Sequence, residues 1–306
     1  MSTKVKSQFI NGSNLKTSFK GLIEIIKKVR ETPRRYPGHP IFVSVDNYNN
    51  LQNGQYVWFG HDSLMFKIHN KIIMVDPIFH NAALVKPFAY TQSFDLSLFP
   101  IIDCLILTHN HYDHICKQTL KQLKVLTVFT PLNNAKLIST FIKNISIHEL
   151  DWFQSFQFED IKITCVPGQH YSARSGCDRN QALWGGFCIN DIYVSGDTGF
   201  NEKMFISIRQ QLPQIQYCFL ENGQYSENWQ AQHMLPHQTY KAFELLQGIQ
   251  MFPIHFGKFC LTTHEWDEPA KYALEHAERI FAGQIGKIYT LSECIGQKYI
   301  DKSLYD

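Results

Sequence analysis

The sequence predicts one layered domain of the α/β (α+β) class, in which strands and helices are mixed through most of the chain. Three observations carry that expectation. Short β-like runs recur from about residue 56 onward, helix-like segments lie between them, and neither a low-complexity linker nor a short-period repeat interrupts the series. The chain has 306 residues, enough for a sizeable core.

Residues 1–55 read as an N-terminal helical extension and residues 56–306 as the main domain. Asn14 is placed to cap a helix over Leu15–Arg30, with Phe19, Leu22, Ile23, Ile26 and Val29 on one face and lysines on the other. Such a helix either packs on its own domain or, being basic and amphipathic, touches a membrane surface. The runs YVWFG, LMFKIH and KIIMVDP open the main domain as strands, the last two separated by Asn70. Further strands are expected at 101–108, 161–167, 191–197, 215–221 and 249–255, and helices at 133–143, 202–211, 237–247 and 268–282.

Composition narrows the class. Hydrophobic residues make up 44% and charged residues 18%, as in an ordinary globular protein. A formal net charge of +2 is too mild to point to nucleic acid. The 23 phenylalanines are first of all core, and secondly material for an apolar substrate surface. The eight cysteines include no C-x-x-C pair, so thiolate zinc sites are not expected. They read as reduced thiols. The polar start MSTKVKSQFINGSN has no apolar signal-peptide core, and no stretch approaches a membrane span. The expected location is cytoplasmic, peripheral to the membrane if the N-terminal helix engages lipid.

The chemistry lies in His109-Asn110-His111-Tyr112-Asp113-His114, which follows the apolar run Cys104-Leu105-Ile106-Leu107-Thr108. A buried strand ends there and releases three imidazoles and a carboxylate into a loop, where they can converge on metal. His109 and His111, two apart in extended chain, can face one ion. Asp113 and His114, past the bend, can serve a second. Three more β-like runs end in a candidate ligand: His170 after 161–167, Asp197 after 191–196, and His255 after 249–254.

That order, H-x-H-x-D-H, then His, then Gly-Asp-Thr, then His, resembles the metallo-β-lactamase superfamily over residues 56–295. The resemblance implies an αββα sandwich, two β-sheets packed face to face with helices outside. It implies that His109, His111 and His170 hold one metal, that Asp113, His114 and His255 hold another, and that Asp197 bridges them. The runs WFGHDS, VDPIF, PGQHYSAR, ALWGGF, SGDTGF and IHFGKF are similar to the branch containing N-acyl-phosphatidylethanolamine-hydrolysing phospholipase D and its bacterial relatives. Three features depart from that branch: the segment Glu221-Asn222-Gly223-Gln224-Tyr225, Asp62 after Gly-His, and His237-Gln238.

The resemblance implies a hydrolase in which two Zn²⁺ ions, or Mn²⁺ or Fe²⁺ on the same N/O donors, activate water. Asp113 would orient that water and accept its proton. Gln232 and His233 would face the substrate, unless His233 is only a helix-entry residue, and Tyr112 would shape the pocket mouth. His264 would donate a proton to the leaving group or brace a ligand from behind. His61 would support the metals without ligating them. A lipid phosphodiester is the first substrate reading. A lactone or sugar-phosphate lactone is the second, and a nucleic-acid-processing enzyme the third. The expected partners are a small-molecule or lipid substrate, a membrane surface and a second copy of the chain in a homodimer; no nucleic acid is expected.

Overall fold

The computed structural model describes residues 1–5, 8–10, 31–175 and 177–306. The helix expected over Leu15–Arg30 lies outside the described residues. At the N-terminus β1 (Thr3–Val5) pairs antiparallel with β2 (Gln8–Ile10). Two large sheets follow. The first contains β3 (Gln55–Trp58), β4 (Leu64–Ile68), β5 (Lys71–Val75), β6 (Ile102–Ile106), β7 (Val125–Pro131), β8 (Ser146–Leu150) and, on the edge beside β3, β16 (Ile288–Thr290). The second contains β9 (Ser155–Phe158), β10 (Ile161–Val166), β11 (Gly186–Ile189), β12 (Ile192–Val194), β13 (Tyr217–Glu221), β14 (Gln250–Ile254), β15 (Ile280–Ala282) and β17 (Lys298–Ile300).

The sheets share one plan. Each begins as an antiparallel meander, β3-β4-β5 in one and β9-β10-β11-β12 in the other. Each continues with parallel strands, β5-β6-β7-β8 and β12-β13-β14-β15-β17. Parallel strands need crossovers, and these carry the helices α1 (Lys117–Leu120), α2 (Ala135–Ile138), α3 (Glu202–Gln211), α4 (Pro236–Leu246) and α5 (Glu268–His276).

Alternation along the strands of the first sheet builds two cores. Tyr56, Trp58, Leu64, Phe66, Ile73, Val75, Cys104 and Ile106 face the second sheet. Val57, Met65, Ile72, Met74 and Leu105, one residue out of step, fill the outer core. Ile41 and Val43 are buried in the central core, and Tyr48 and Leu51 in the outer one, so this stretch packs with both. The result is the sandwich implied by the family resemblance.

Two helix expectations change. The helix expected over 133–143 is the short α2. The one expected over 268–282 ends at His276, where Ala277 turns extended, and Ile280–Ala282 becomes β15 instead. There the strand pairs with Met251 on one side and Lys298–Ile300 on the other, burying Ile280 and Phe281. Tertiary pairing outweighs helix propensity in that segment. In the two large sheets β7, β8, β9, β11, β16 and β17 were likewise not expected from the sequence.

Phe219 joins the layers, stacking on Phe252 at 4.4 Å and meeting Tyr56 and Phe66 edge-on across the sheets. Phe219→Ala is expected to cost about 3–5 kcal/mol through the cavity it leaves, read as a lowered midpoint in urea unfolding.

Candidate metal centre

Every candidate ligand stands just past the carboxyl end of a strand, all on one rim of the sandwich. β6 delivers residues 109–114, β10 delivers His170, β12 delivers Asp197 and β14 delivers His255. Gly196 (φ +55°) makes the close approach possible: a Cβ there would meet the Thr108 side chain at 2.9 Å.

Two clusters form. In the first, His111 Nδ1 lies 2.8 Å from His109 Nε2 and 3.2 Å from His170 Nε2. Asp197 Oδ2 lies 3.6 and 3.5 Å from the same two Nε2 atoms. In the second, Asp197 Oδ1 lies 3.2 Å from His114 Nε2 and 3.0 Å from His255 Nε2. Asp113 Oδ2 lies 3.5 and 3.9 Å from those nitrogens. Asp197 thus offers one oxygen to each cluster.

Tautomers follow from the outer bonds. His114 Nδ1 meets the Asp76 carboxylate at 2.7 Å, His170 Nδ1 the Gln232 carbonyl at 3.0 Å, and His255 Nδ1 the Gly223 carbonyl at 3.2 Å. Those oxygens only accept, so each Nδ1 carries a proton and each Nε2 faces inward; against the cost of burial, Asp197 and neighbouring carboxylates hold His114 and His255 well above the usual imidazole range. Burial pulls His109 and His170 well below the usual imidazole range and His111 down to about 4, which keeps their lone pairs available. His114 Nε2, His255 Nε2 and Asp197 Oδ1 are buried with no hydrogen-bond partner in the protein. Converging inward-facing donor atoms, orphaned atoms and an N/O donor set fit two transition-metal ions.

Neighbouring groups brace the clusters. Asp76, at the end of β5, accepts from Thr108 N at 2.9 Å through its other oxygen, tying His114 to the strand that delivers the motif. His61 Nε2 lies 3.0 Å from Asp113 Oδ2, and the His61 ring packs 4.2 Å from that of His255. Burial pushes His61 down to about 3, so it serves as a neutral donor to Asp113. Its carbonyl accepts from His255 N at 3.0 Å. Glu221, fully buried at the end of β13, binds His233 Nδ1 at 3.0 Å and receives Met234 N. Arg174 donates to the carbonyl of Asn110 at 2.8 Å and lies 4.0 Å over the Tyr112 ring. Asp62 is buried beside His114, 3.6 Å from Nδ1, with neither carboxyl oxygen hydrogen-bonded, and burial holds it well above the usual carboxylate range.

Above the clusters lies a cleft of about 400 Å³. Its lining combines His111, Asp113, Asp197 and His255 of the clusters, the polar Tyr112, Tyr171, Gln232 and His233, and an apolar patch in which Ala82, Val85 and Leu261 pack together. His233 and Gln232 therefore face the cleft, and Tyr112 is half exposed at its edge. His264 does not join them. Its Nε2 accepts from Gln224 N at 2.9 Å and its Nδ1 donates to the Glu265 carbonyl at 2.6 Å. It borders a separate depression with Tyr225 and Glu268. The proton-donor role expected for it is corrected, because neither nitrogen is left for a leaving group. Nor does it bond a ligand side chain: it holds the Gln224 backbone, whose amide side chain reaches the His255 carbonyl. Sequence reasoning missed Asp76 and Glu221 as orienting carboxylates and Arg174 as a brace. Their only signals were a strand-end position and the last place in the PGQHYSAR run.

Fold and site together define a sandwich of the metallo-β-lactamase type with a candidate two-metal centre on its rim. The family model described as "Beta-lactamase superfamily domain" matches residues 71–256, and the chain belongs to that family. An uncharacterized protein of Mycobacterium tuberculosis is 29% identical over 238 residues, 72% of this chain and 63% of the relative. The chain thus spans less than two thirds of that relative's length. N-acyl-phosphatidylethanolamine-hydrolyzing phospholipase D 1 of Caenorhabditis elegans is 25% identical over 251 residues, 73% of this chain and 69% of that protein. An isothiocyanate hydrolase from Delia radicum gut bacteria superposes with a TM-score of 0.62 at 20% identity, covering 77% of this chain and 98% of that one.

Because Asp76 fixes the His114 tautomer, Asp76→Asn is expected to weaken metal retention about 10- to 100-fold without unfolding the chain. Competition with a chromophoric chelator, alongside circular dichroism, measures this.

Proposed function

We propose that the chain is a phosphodiesterase of phospholipase D type, acting on N-acyl-phosphatidylethanolamine-like lipids with two Zn²⁺ ions. His109, His111 and His170 would hold one ion, Asp113, His114 and His255 the other, and Asp197 both. Metal ions held there supply Lewis acidity and acidify a water. Asp113, fixed by His61, holds and accepts a proton at its carboxylate. His233, engaged through Nδ1 by Glu221, leaves Nε2 for a phosphoryl or leaving oxygen.

The observation that carries the lipid reading is the asymmetry of the cleft. Beside its polar groups stands an apolar patch in which Ala82, Val85 and Leu261 pack together, so a charged diester can lie over the clusters while an acyl chain runs along that apolar wall. Leu84, 96% exposed beside that wall, extends it outward and suits a substrate presented at a membrane surface. Among the described residues no helix is long and apolar enough to cross a membrane. The names of the nematode and yeast relatives, both N-acyl-phosphatidylethanolamine-hydrolyzing phospholipases D, support the same reading.

Side-by-side assays of N-acyl-phosphatidylethanolamine vesicles, bis-p-nitrophenyl phosphate and a lactone test this. Diester turnover is expected; lactone turnover alone would reject it. Asp113→Asn is expected to lower turnover at least about 100-fold with the fold retained; turnover close to wild type would remove Asp113 from the mechanism. Leu84→Ser is expected to slow hydrolysis of vesicle substrate severalfold and to leave bis-p-nitrophenyl phosphate turnover unchanged.

A further inference from the structure

A second cavity, of about 320 Å³, lies outside the metal cleft. Phe79, Phe88, Tyr90 and Phe94 wall it, Ser93 stands exposed on its rim, and Lys258 lies at its base. Lys258 is only 2% exposed. Its ammonium donates to the Ile78 carbonyl at 2.7 Å and lies 4.9 Å from the centre of the Phe79 ring. Among the described residues no carboxylate is paired with it. Burial with no countercharge brings Lys258 down to about 7. One carbonyl occupies one of its three donors. A buried ammonium with unused donors beside an aromatic cavity is a site lacking an anion.

We propose that this cavity binds a small monocarboxylate with an apolar body, its carboxylate on Lys258 and its body among the Phe79, Phe88 and Phe94 rings. One positive charge matches a monoanion. No arginine and no second cation lines the cavity, which disfavours a phosphate dianion. The walls are pinned to the segment after His255: Phe88 N donates to the Lys258 carbonyl at 2.6 Å, and Tyr90 Oη to the Gly257 carbonyl at 2.8 Å. The proposal stands whatever substrate the metal cleft accepts.

Calorimetric titration of the metal-loaded full chain with octanoate and with 1-octanol tests it. Octanoate is expected to bind at least tenfold tighter than the alcohol. Lys258→Met is expected to erase that preference, and Ser93→Trp, which plugs the rim, to weaken both ligands at least tenfold. Equal affinity for acid and alcohol, or no octanoate binding, overturns the proposal. So does octanoate binding that both variants leave intact, since the carboxylate would then be held at the metals. If Lys258→Met fails to fold by circular dichroism, Ser93→Trp and the alcohol comparison decide alone.

Discussion

The structure depends on the burial of polar side-chain atoms that point at one another. His109, His111 and His170 crowd their nitrogens within 3.2 Å of a common point of contact at His111 Nδ1. His114 and His255 aim their Nε2 atoms at one oxygen of Asp197. His114 Nε2, His255 Nε2 and Asp197 Oδ1, buried with no hydrogen-bond partner in the protein, each cost about 1–3 kcal/mol. A compact rim of them persists only where cations compensate and rigid strands hold the donors in place. That explains why all the donors come from strand ends. The meander-then-parallel plan of both sheets brings β6, β10, β12 and β14 to one rim. Asp197 then serves both clusters.

The motif was legible because its polarity contradicts its setting. Three imidazoles and a carboxylate directly after Leu105-Ile106-Leu107 cannot continue a buried strand, so they had to be functional. His170, Asp197 and His255 were legible only as a set, through their shared position after β-like runs. The bracing groups were not legible. Asp76 in VDPIF reads as a turn residue, and Glu221 as the polar end of a strand. What makes each an orienting carboxylate is a partner dozens of residues away in one case and a fold-dependent contact in the other. His264 failed for the converse reason. Only eight residues of chain separate it from His255, but the loop between them carries it to a separate depression, where backbone groups use both its nitrogens.

The fold was legible in kind and less so in detail. Strands β3 to β6 announce themselves because both faces are apolar, one filling each core. Strands β8 and β9 carry polar and half-exposed residues, and their pairing comes from neighbours rather than from their own pattern. The segment 268–282 has helical residues throughout, and only the partners on either side of β15 make its last part a strand.

Donor set and walls answer different questions about function. The donors suit the proposed metal-assisted hydrolysis and are indifferent to what is hydrolysed, since the same cluster can serve a diester or a lactone. The walls discriminate: Ala82, Ala83 and Val85 come from the segment that follows β5, and Leu261 from the segment that follows β14. Those two segments also build the aromatic cavity, through Phe79 and Phe88 on one side and Lys258 on the other. The apolar wall of the cleft and the walls of the second cavity are therefore parts of the same two stretches of chain, joined by the Phe88–Lys258 bond. An occupant that shifts residues 79–94 must move Ala82 and Val85 with them. His255, three residues before Lys258, is held separately by His61, Gly223 and the end of β14. Coupling between the two cavities would consequently act on the substrate wall before it reached the metal ligands, altering which substrate fits more than how fast a bound one reacts.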